Sequence, residues 1–318
     1  MAELFRKILS PVYFDETSPV ALEYARHFAR QNDSTVYLLH VVPTDEFHLL
    51  REVYRPQEGG GADTGWAEMV AREKLQTMAQ EHFGGVRCEV ITRLNSDPVM
   101  GILEAETELG ADLVVMATHG RTGIAHLILG SIAEKVVRES RCPVFTTRRG
   151  EELSGTEPFQ KILVPVDIGE RSVRALRYAR GIAEQSKGIV YPLHIVPTEE
   201  TELLLRDVYQ AREGTRANLV VAEKVAKQKL AELAQEHLSG VRYEPVLHVS
   251  GDPARTILEV ERDVGADLIV MATHGFTGLF HLILGSLTEK MVREAACPVL
   301  SLRQPAEAPH RPSSAKAG

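Results

Sequence analysis

Short apolar runs alternate with longer amphipathic segments along most of the chain, most clearly in its second half. There the runs predict strands at about Lys161–Val166, Ile189–Val196, Arg242–Val249, Asp267–Ala272 and Pro298–Leu302. Between them apolar positions recur at helical spacing. After Ser172, placed to cap a helix, Val173, Leu176, Ala179, Ile182 and Ala183 form one stripe. Asp97-Pro98 and Asp252-Pro253 each set an acid that can accept from free N–H groups before a proline suited to the first helical turn, so both predict helix starts. Strands such as LIVMA are apolar without a break, the pattern of a parallel sheet covered by helices on both faces. Right-handed crossovers then put the first strand inside the sheet, with the chain winding outward in two directions. Ligands are expected beyond the carboxyl ends of the strands where the winding reverses.

The pattern occurs twice. KILSPVYFDETSPVALEYARHFA aligns with KILVPVDIGERSVRALRYARGIA, Lys7 on Lys161, an offset of 154, and later Thr118 aligns with Thr273, an offset of 155. Between these lie further matches, LLHVVPT with PLHIVPT and AQEHFGGVR with AQEHLSGVR. A repeating unit of about 145 residues is a whole domain rather than a solenoid repeat. The chain therefore divides into a first domain over residues 1–149, a polar join, a second domain over 158–304, and a tail over 305–318. That tail has almost nothing to bury and is expected to be disordered.

With 318 residues, 44% of them hydrophobic, the chain is long enough for two proper cores. Its formal charge is −8, and its basic residues are scattered, which argues against nucleic acid as a partner. No apolar run approaches a membrane span and MAELFRKILSPVYF lacks a signal-peptide layout, so no membrane role and a cytoplasmic location are expected. Cys88, Cys142 and Cys297 have neither metal nor redox spacing; Cys142 and Cys297, matched in two CPV strands, read as small buried apolar residues. His40 and His194 lie on apolar strands and read as side chains satisfied by backbone carbonyls. His82 and His237 read as solvated helix C-terminal groups, and His126 and His281 as surface groups.

Chemistry concentrates after strand four. ATHGRTGIAHLILGS spans 117–131 and ATHGFTGLFHLILGS spans 272–286. A glycine directly after a strand lets a ligand approach the backbone. Gly130-Ser131 and Gly285-Ser286 then open amphipathic segments, whose free N–H groups and dipole favour phosphate. Phosphate would sit between Gly275 and Ser286, with donation from the backbone or ring of His274, or of His119 in the first copy. Loops of this kind also serve packing alone, and a duplicated loop shows common descent rather than independent proof. No Walker lysine precedes Ser286 and no base is paired with a nucleophile, so no catalytic set is assigned. The segments EFHLLREVYRPQEGGGADTGWAEMV and ETELLLRDVYQAREGTRANLVVAEK read as helix, loop and helix covering the sheet, with a lid or docking surface as the alternative.

The loop pattern has a glycine or alanine, two residues, a glycine, nine residues and Gly-Ser. It follows an ADLIVM strand, precedes a helix ending in CPV, and resembles the universal stress protein family. KILVPVD is similar to that family's first strand, and the resemblance covers essentially all of both repeats, as in a tandem member. It implies an α/β fold of two tandem Rossmann-like domains of the adenine nucleotide alpha hydrolase-like kind, each with a five-stranded parallel sheet of order 3-2-1-4-5. It also implies binding of ATP, often with Mg²⁺ or Mn²⁺. Carried over by position, Asp167, after Pro165 and Val166 at the end of strand one, stands beside ribose and metal. A carboxylate suits both roles. Val196 meets adenine through its backbone, and Ala272, His274, Gly275, Gly285, Ser286, Leu287 and Thr288 surround phosphate and ribose. The first-copy counterparts are Pro11, Val12, Val42, Ala117, Gly120, Gly130, Ser131 and Ile132.

Two departures stand out. Ala117 and Ala272 occupy the place of the family's first glycine, and Tyr13 replaces the strand-one aspartate in the first copy. A phenol is bulky and is not a metal carboxylate, so the second copy is expected to be the better site, unless Asp15, which matches Gly169, substitutes through a bent loop. The expected function is an ATP-binding, nucleotide-dependent stress-response regulator with little or no hydrolysis. The alternatives are a slow ATPase or nucleotidyl-transfer enzyme, with Asp167 on the metal and Thr273 or His274 near the phosphates, and an interaction scaffold with degenerate sites. The last strands, CPVFTTRR and CPVLSLRQ, lie at sheet edges and are expected to join the domains about a pseudo-twofold axis, as in the family. A homodimer of such chains is expected in turn.

Overall fold

The computed structural model describes residues 4–15, 18–44, 64–118, 131–148, 158–168, 170–198, 219–273 and 286–303. The first half runs β1 (Lys7–Pro11), α1 (Ser18–Asn32), β2 (Thr35–Val42), α2 (Thr64–His82), β3 (Arg87–Leu94), α3 (Pro98–Leu109), β4 (Leu113–Ala117), α4 (Ser131–Glu139) and β5 (Val144–Thr147). The second half repeats it as β6 (Lys161–Pro165), α5 (Glu170–Ser186), β7 (Ile189–Val196), α6 (Leu219–His237), β8 (Arg242–Tyr243), β9 (Val246–Val249), α7 (Pro253–Val264), β10 (Leu268–Ala272), α8 (Ser286–Glu294) and β11 (Val299–Leu302).

One sheet passes through both halves, in the order β3-β2-β1-β4-β5-β11-β10-β6-β7-β8, with β9 also on β7. Each half is parallel and has the expected 3-2-1-4-5 order. The third strand of the second half is a correction. It was expected as one run over Arg242–Val249, but it is split into β8 and β9, because Pro245 has no N–H to give the ladder.

The unbroken apolar strands are explained by burial on both faces. In β4, Leu113, Val115 and Ala117 enter one core with α1, α2, α5 and α6, while Val114 and Met116 enter the other with α3, α4, α7 and α8. Both cores contain residues of both halves. Asp97 and Asp252 cap α3 and α7 as expected, accepting from the Val99 and Arg255 N–H groups at 2.9 and 3.0 Å. Gly110 and Gly265 end these helices at φ 59 and 64, where a side chain would be strained.

The halves join antiparallel through β5 and β11, with Leu300 opposite Phe145. These two residues occupy equivalent positions in the repeats, so the pseudo-twofold axis passes between them. Arg148 reaches across to the Ala295 carbonyl at 2.7 Å, and Arg303 to the Glu139 carbonyl at 2.8 Å. An aromatic exchange reinforces the seam. Phe5, just before β1, stacks on Tyr178 of α5 with centroids 5.8 Å apart, and Phe159, just before β6, stacks on Tyr24 of α1 at the same distance. Each domain thus plants its entry phenylalanine against the other domain's helix.

Glu106 on α3 and Glu261 on α7 are 3% exposed. Each carboxylate accepts two backbone N–H groups ahead of the last strand, Arg141 and Cys142 for Glu106, Ala296 and Cys297 for Glu261, at 2.7 and 2.9 Å in both cases. Cys142 and Cys297 are buried as expected. Burial, with the Glu106 charge beside it, pushes the Cys142 thiol well above its usual range, so it stays protonated.

Candidate functional site

Strand one pairs in parallel with strand four in each half, Leu9 beside Val114 and Leu163 beside Ile269. The reversal of winding therefore falls between the carboxyl ends of these two strands. In the second half Pro165 closes β6, and the buried Val166 donates to the Leu193 carbonyl at 2.8 Å. Its own carbonyl accepts from His194 Nδ1, also at 2.8 Å. His40 does the same for Val12 at 2.8 Å, so both strand-two histidines meet backbone carbonyls as expected. Burial holds the His194 ring below the ordinary histidine pKa, against smaller opposing effects of this hydrogen bond and the Asp167 charge, so a neutral ring donates.

Asp167 follows. Its N–H donates to Ser172 Oγ at 2.9 Å, and that hydroxyl donates back to Asp167 Oδ1 at 2.5 Å. Ser172 was expected as a cap; α5 begins at Glu170, so the serine lies inside the first turn and fastens the strand-one end to the helix. The tight turn between them needs a left-handed residue, Ile168 at φ 58.

The first half reaches the same backbone by other side chains. Phe14, the counterpart of Ile168, has φ 55, and its ring stacks on His40 at 4.1 Å. The Tyr13 N–H faces Ser18 Oγ at 3.4 Å, as Asp167 faces Ser172. The serine's hydroxyl now turns to Asp15 Oδ1 at 3.2 Å, and the Ser18 N–H donates to the same oxygen at 3.2 Å. Asp15 thus takes over the serine, while Tyr13 holds the backbone station of Asp167.

At the strand-four ends Ala117 and Ala272 are followed by Thr118 and Thr273, whose N–H groups donate to the Thr147 and Leu302 carbonyls at 2.8 and 2.9 Å. Helices α4 and α8 start at Ser131 and Ser286. Ile132 and Leu287 pack on the core, and Thr288 donates to the Ala272 carbonyl at 3.4 Å, tying the first turn of α8 to the end of β10. Val42 and Val196 are fully buried, and their carbonyls accept from Asn95 and Ser250 at 3.2 and 3.0 Å. His274, Gly275, Gly285, Gly120 and Gly130, with His119, His126 and His281, lie outside the described residues.

Among the described residues no three His, Cys, Asp or Glu side chains gather as a metal cage. The donors at the strand-one end nevertheless suit a hard cation that is shared with a ligand. Mg²⁺ commonly takes one or two carboxylates and completes its shell with phosphate oxygens and water, and Asp167 is such a carboxylate. Among the described residues no helix is long and apolar enough to cross a membrane.

The sequence model of the Universal stress protein family matches residues 4–148 and again 158–303. The chain belongs to the universal stress protein family. Universal stress protein MJ0531 of Methanocaldococcus jannaschii is 32% identical over 166 residues, 50% of this chain and 87% of that protein. Universal stress protein Rv2005c of Mycobacterium tuberculosis is 29% identical over 210 residues, covering 66% of this chain and 67% of its own length. Among solved structures, a universal stress protein from Archaeoglobus fulgidus superposes with a TM-score of 0.65 at 23% identity, covering 94% of this chain and 98% of that one. That likeness concerns the fold of the tandem pair.

The sequence alone assigns no role to Ser18, Glu106 or Glu261, and for Ser172 it suggests a cap rather than the partner of Asp167. The signal was present in the repeat, which matches serine with serine five residues after Tyr13 and Asp167, and ILEAE with ILEVE on the apolar side of α3 and α7.

Proposed function

We propose that the protein binds ATP at the strand carboxyl ends and acts as a cytoplasmic, nucleotide-dependent stress-response regulator that turns ATP over slowly or not at all. The observation that carries this is Asp167. It is fixed by Ser172 at the end of strand one, beside strand four, whose last residue Ala272 is tied to α8 by Thr288. In this reading Asp167 holds Mg²⁺ or Mn²⁺, which neutralises phosphate charge when bound. The amide groups that open α8 favour the phosphates, and Val166, kept in place by His194, forms the floor. Val196 ends the neighbouring strand, where the adenine would lie. The chains pair as homodimers.

The test is direct. Protein purified without added nucleotide is denatured and its small molecules identified by mass spectrometry, and its melting temperature is followed on adding ATP with Mg²⁺. Adenine nucleotide in the extract, or an ATP-dependent rise that Asp167→Asn diminishes, is expected. Absence of both refutes the proposal. Steady release of ADP, abolished by Asp167→Ala, would favour the slow-ATPase alternative.

A further inference from the structure

The two strand-one ends have the same backbone and different chemistry. Tyr13 and Asp167 occupy one station, each with its N–H directed at a serine hydroxyl, and the following residues share a left-handed turn at φ 55 and 58. In the second domain the serine steadies Asp167. In the first it donates to Asp15, whose Oδ1 also accepts the Ser18 N–H at the start of α1. That carboxylate oxygen is engaged by the helix terminus, where negative charge is favoured. Tyr13 Oη, meanwhile, is shielded from solvent and has no hydrogen-bond partner among the described residues. A buried hydroxyl without a partner is an uncommon state that calls for an explanation. Burial, and secondarily the charge of Asp15, push its pKa up, so the phenol remains a neutral donor. Such a group offers a proton to an anionic oxygen and offers nothing to a cation.

We propose that the first domain takes ATP without a divalent cation, the Tyr13 hydroxyl donating directly to a ligand oxygen where, in the second domain, Asp167 holds the cation. The proposal rests on the ATP reading above and adds that the two sites differ in their metal requirement.

The full chain is titrated with ATP by equilibrium dialysis and by native mass spectrometry, in Mg²⁺ and in EDTA. Wild type is expected to bind two ATP per chain in Mg²⁺ and one, at similar affinity, in EDTA; Asp167→Asn is expected to bind one in either medium. Tyr13→Phe is expected to weaken the EDTA-resistant binding roughly tenfold or more, the loss typical of a hydrogen bond to a charged group. Its ligand-free melting temperature should stay the same or rise, since the orphaned hydroxyl is gone. Tyr13→Asp is expected to make the first site sensitive to EDTA. Loss of both sites in EDTA, indifference of the resistant site to Tyr13→Phe, or a lower ligand-free melting temperature in that variant would overturn the proposal and leave the ATP reading standing. No binding in either medium would overturn both.

Discussion

Phe159 belongs to the second domain by sequence, yet its ring sits among rings of the first: Tyr24 at 5.8 Å, His27 at 5.6 Å, Phe28 at 5.3 Å and Phe145 at 5.9 Å. It is 1% exposed. Phe159→Ala removes a fully buried ring and leaves a cavity, which costs about 3–5 kcal/mol. Four aromatic neighbours, each pair contributing about 0.5–1.5 kcal/mol beyond its area, place the loss in the upper part of that range. The backbone contribution stays constant, because alanine tolerates φ 68 no better than phenylalanine. Chemical denaturation should be followed by far-UV circular dichroism and by fluorescence of Trp66, the single tryptophan, which lies on α2 of the first domain. Both signals are expected to move together to lower denaturant, with a loss of about 4–5 kcal/mol in unfolding free energy. A fluorescence midpoint that stays in place would show that the first domain holds together without this ring, and would refute the reasoning.

Other outcomes follow from the same geometry. Glu261→Ala strands the buried Cys297 N–H and the part-buried Ala296 N–H and is expected to cost about 2–4 kcal/mol in a denaturation series, whereas Glu261→Gln, which keeps one acceptor, should cost about 1–2 kcal/mol. Gly188→Ala would set a Cβ 2.4 Å from the Phe159 carbonyl, a backbone atom that cannot swing aside, so a loss of about 1–3 kcal/mol is expected from thermal melting. His194 titrates below its ordinary value of about 6.5 in the folded state, so the unfolded chain binds the proton more readily. Its contribution to stability should be complete above pH 6.5 and decline as pH falls from there toward the depressed folded value. His194→Gln should flatten that part of the stability profile, and an unchanged slope would exclude the histidine as its source.

Much of the architecture was legible because parallel strands buried on both faces leave unbroken apolar runs, as in LVVMA and LIVMA, and because Asp97-Pro98 and Asp252-Pro253 are local signals that act locally. Local pattern failed where the deciding contact was elsewhere. The apolar character of Arg242–Val249 continues past Pro245, and only the missing N–H, which matters against β7, splits the strand. Ser172 has the residue type of a cap, but its partner is five residues back, at the end of the preceding strand. FRKIL and FQKIL match in sequence, yet nothing in either says that the ring enters the other domain's core. At the candidate site, Asp167 and the strand-four ends could be placed from topology alone. That Asp15 would serve as the serine's acceptor, leaving Tyr13 with a buried hydroxyl, depends on a turn whose geometry no spacing rule specifies.

The antiparallel meeting of β5 and β11 has a consequence for how such a molecule can change over generations. When two identical chains meet about an exact axis, every substitution appears on both sides at once, and a change harmful in one copy is harmful in both. Here the axis between Phe145 and Leu300 relates two stretches of a single gene, already distinct in the pair that marks it. Covalent linkage keeps the partners together in fixed proportion, so one copy can change while the other keeps its residues. The difference between Tyr13 and Asp167 is one that two identical chains about an exact axis cannot hold.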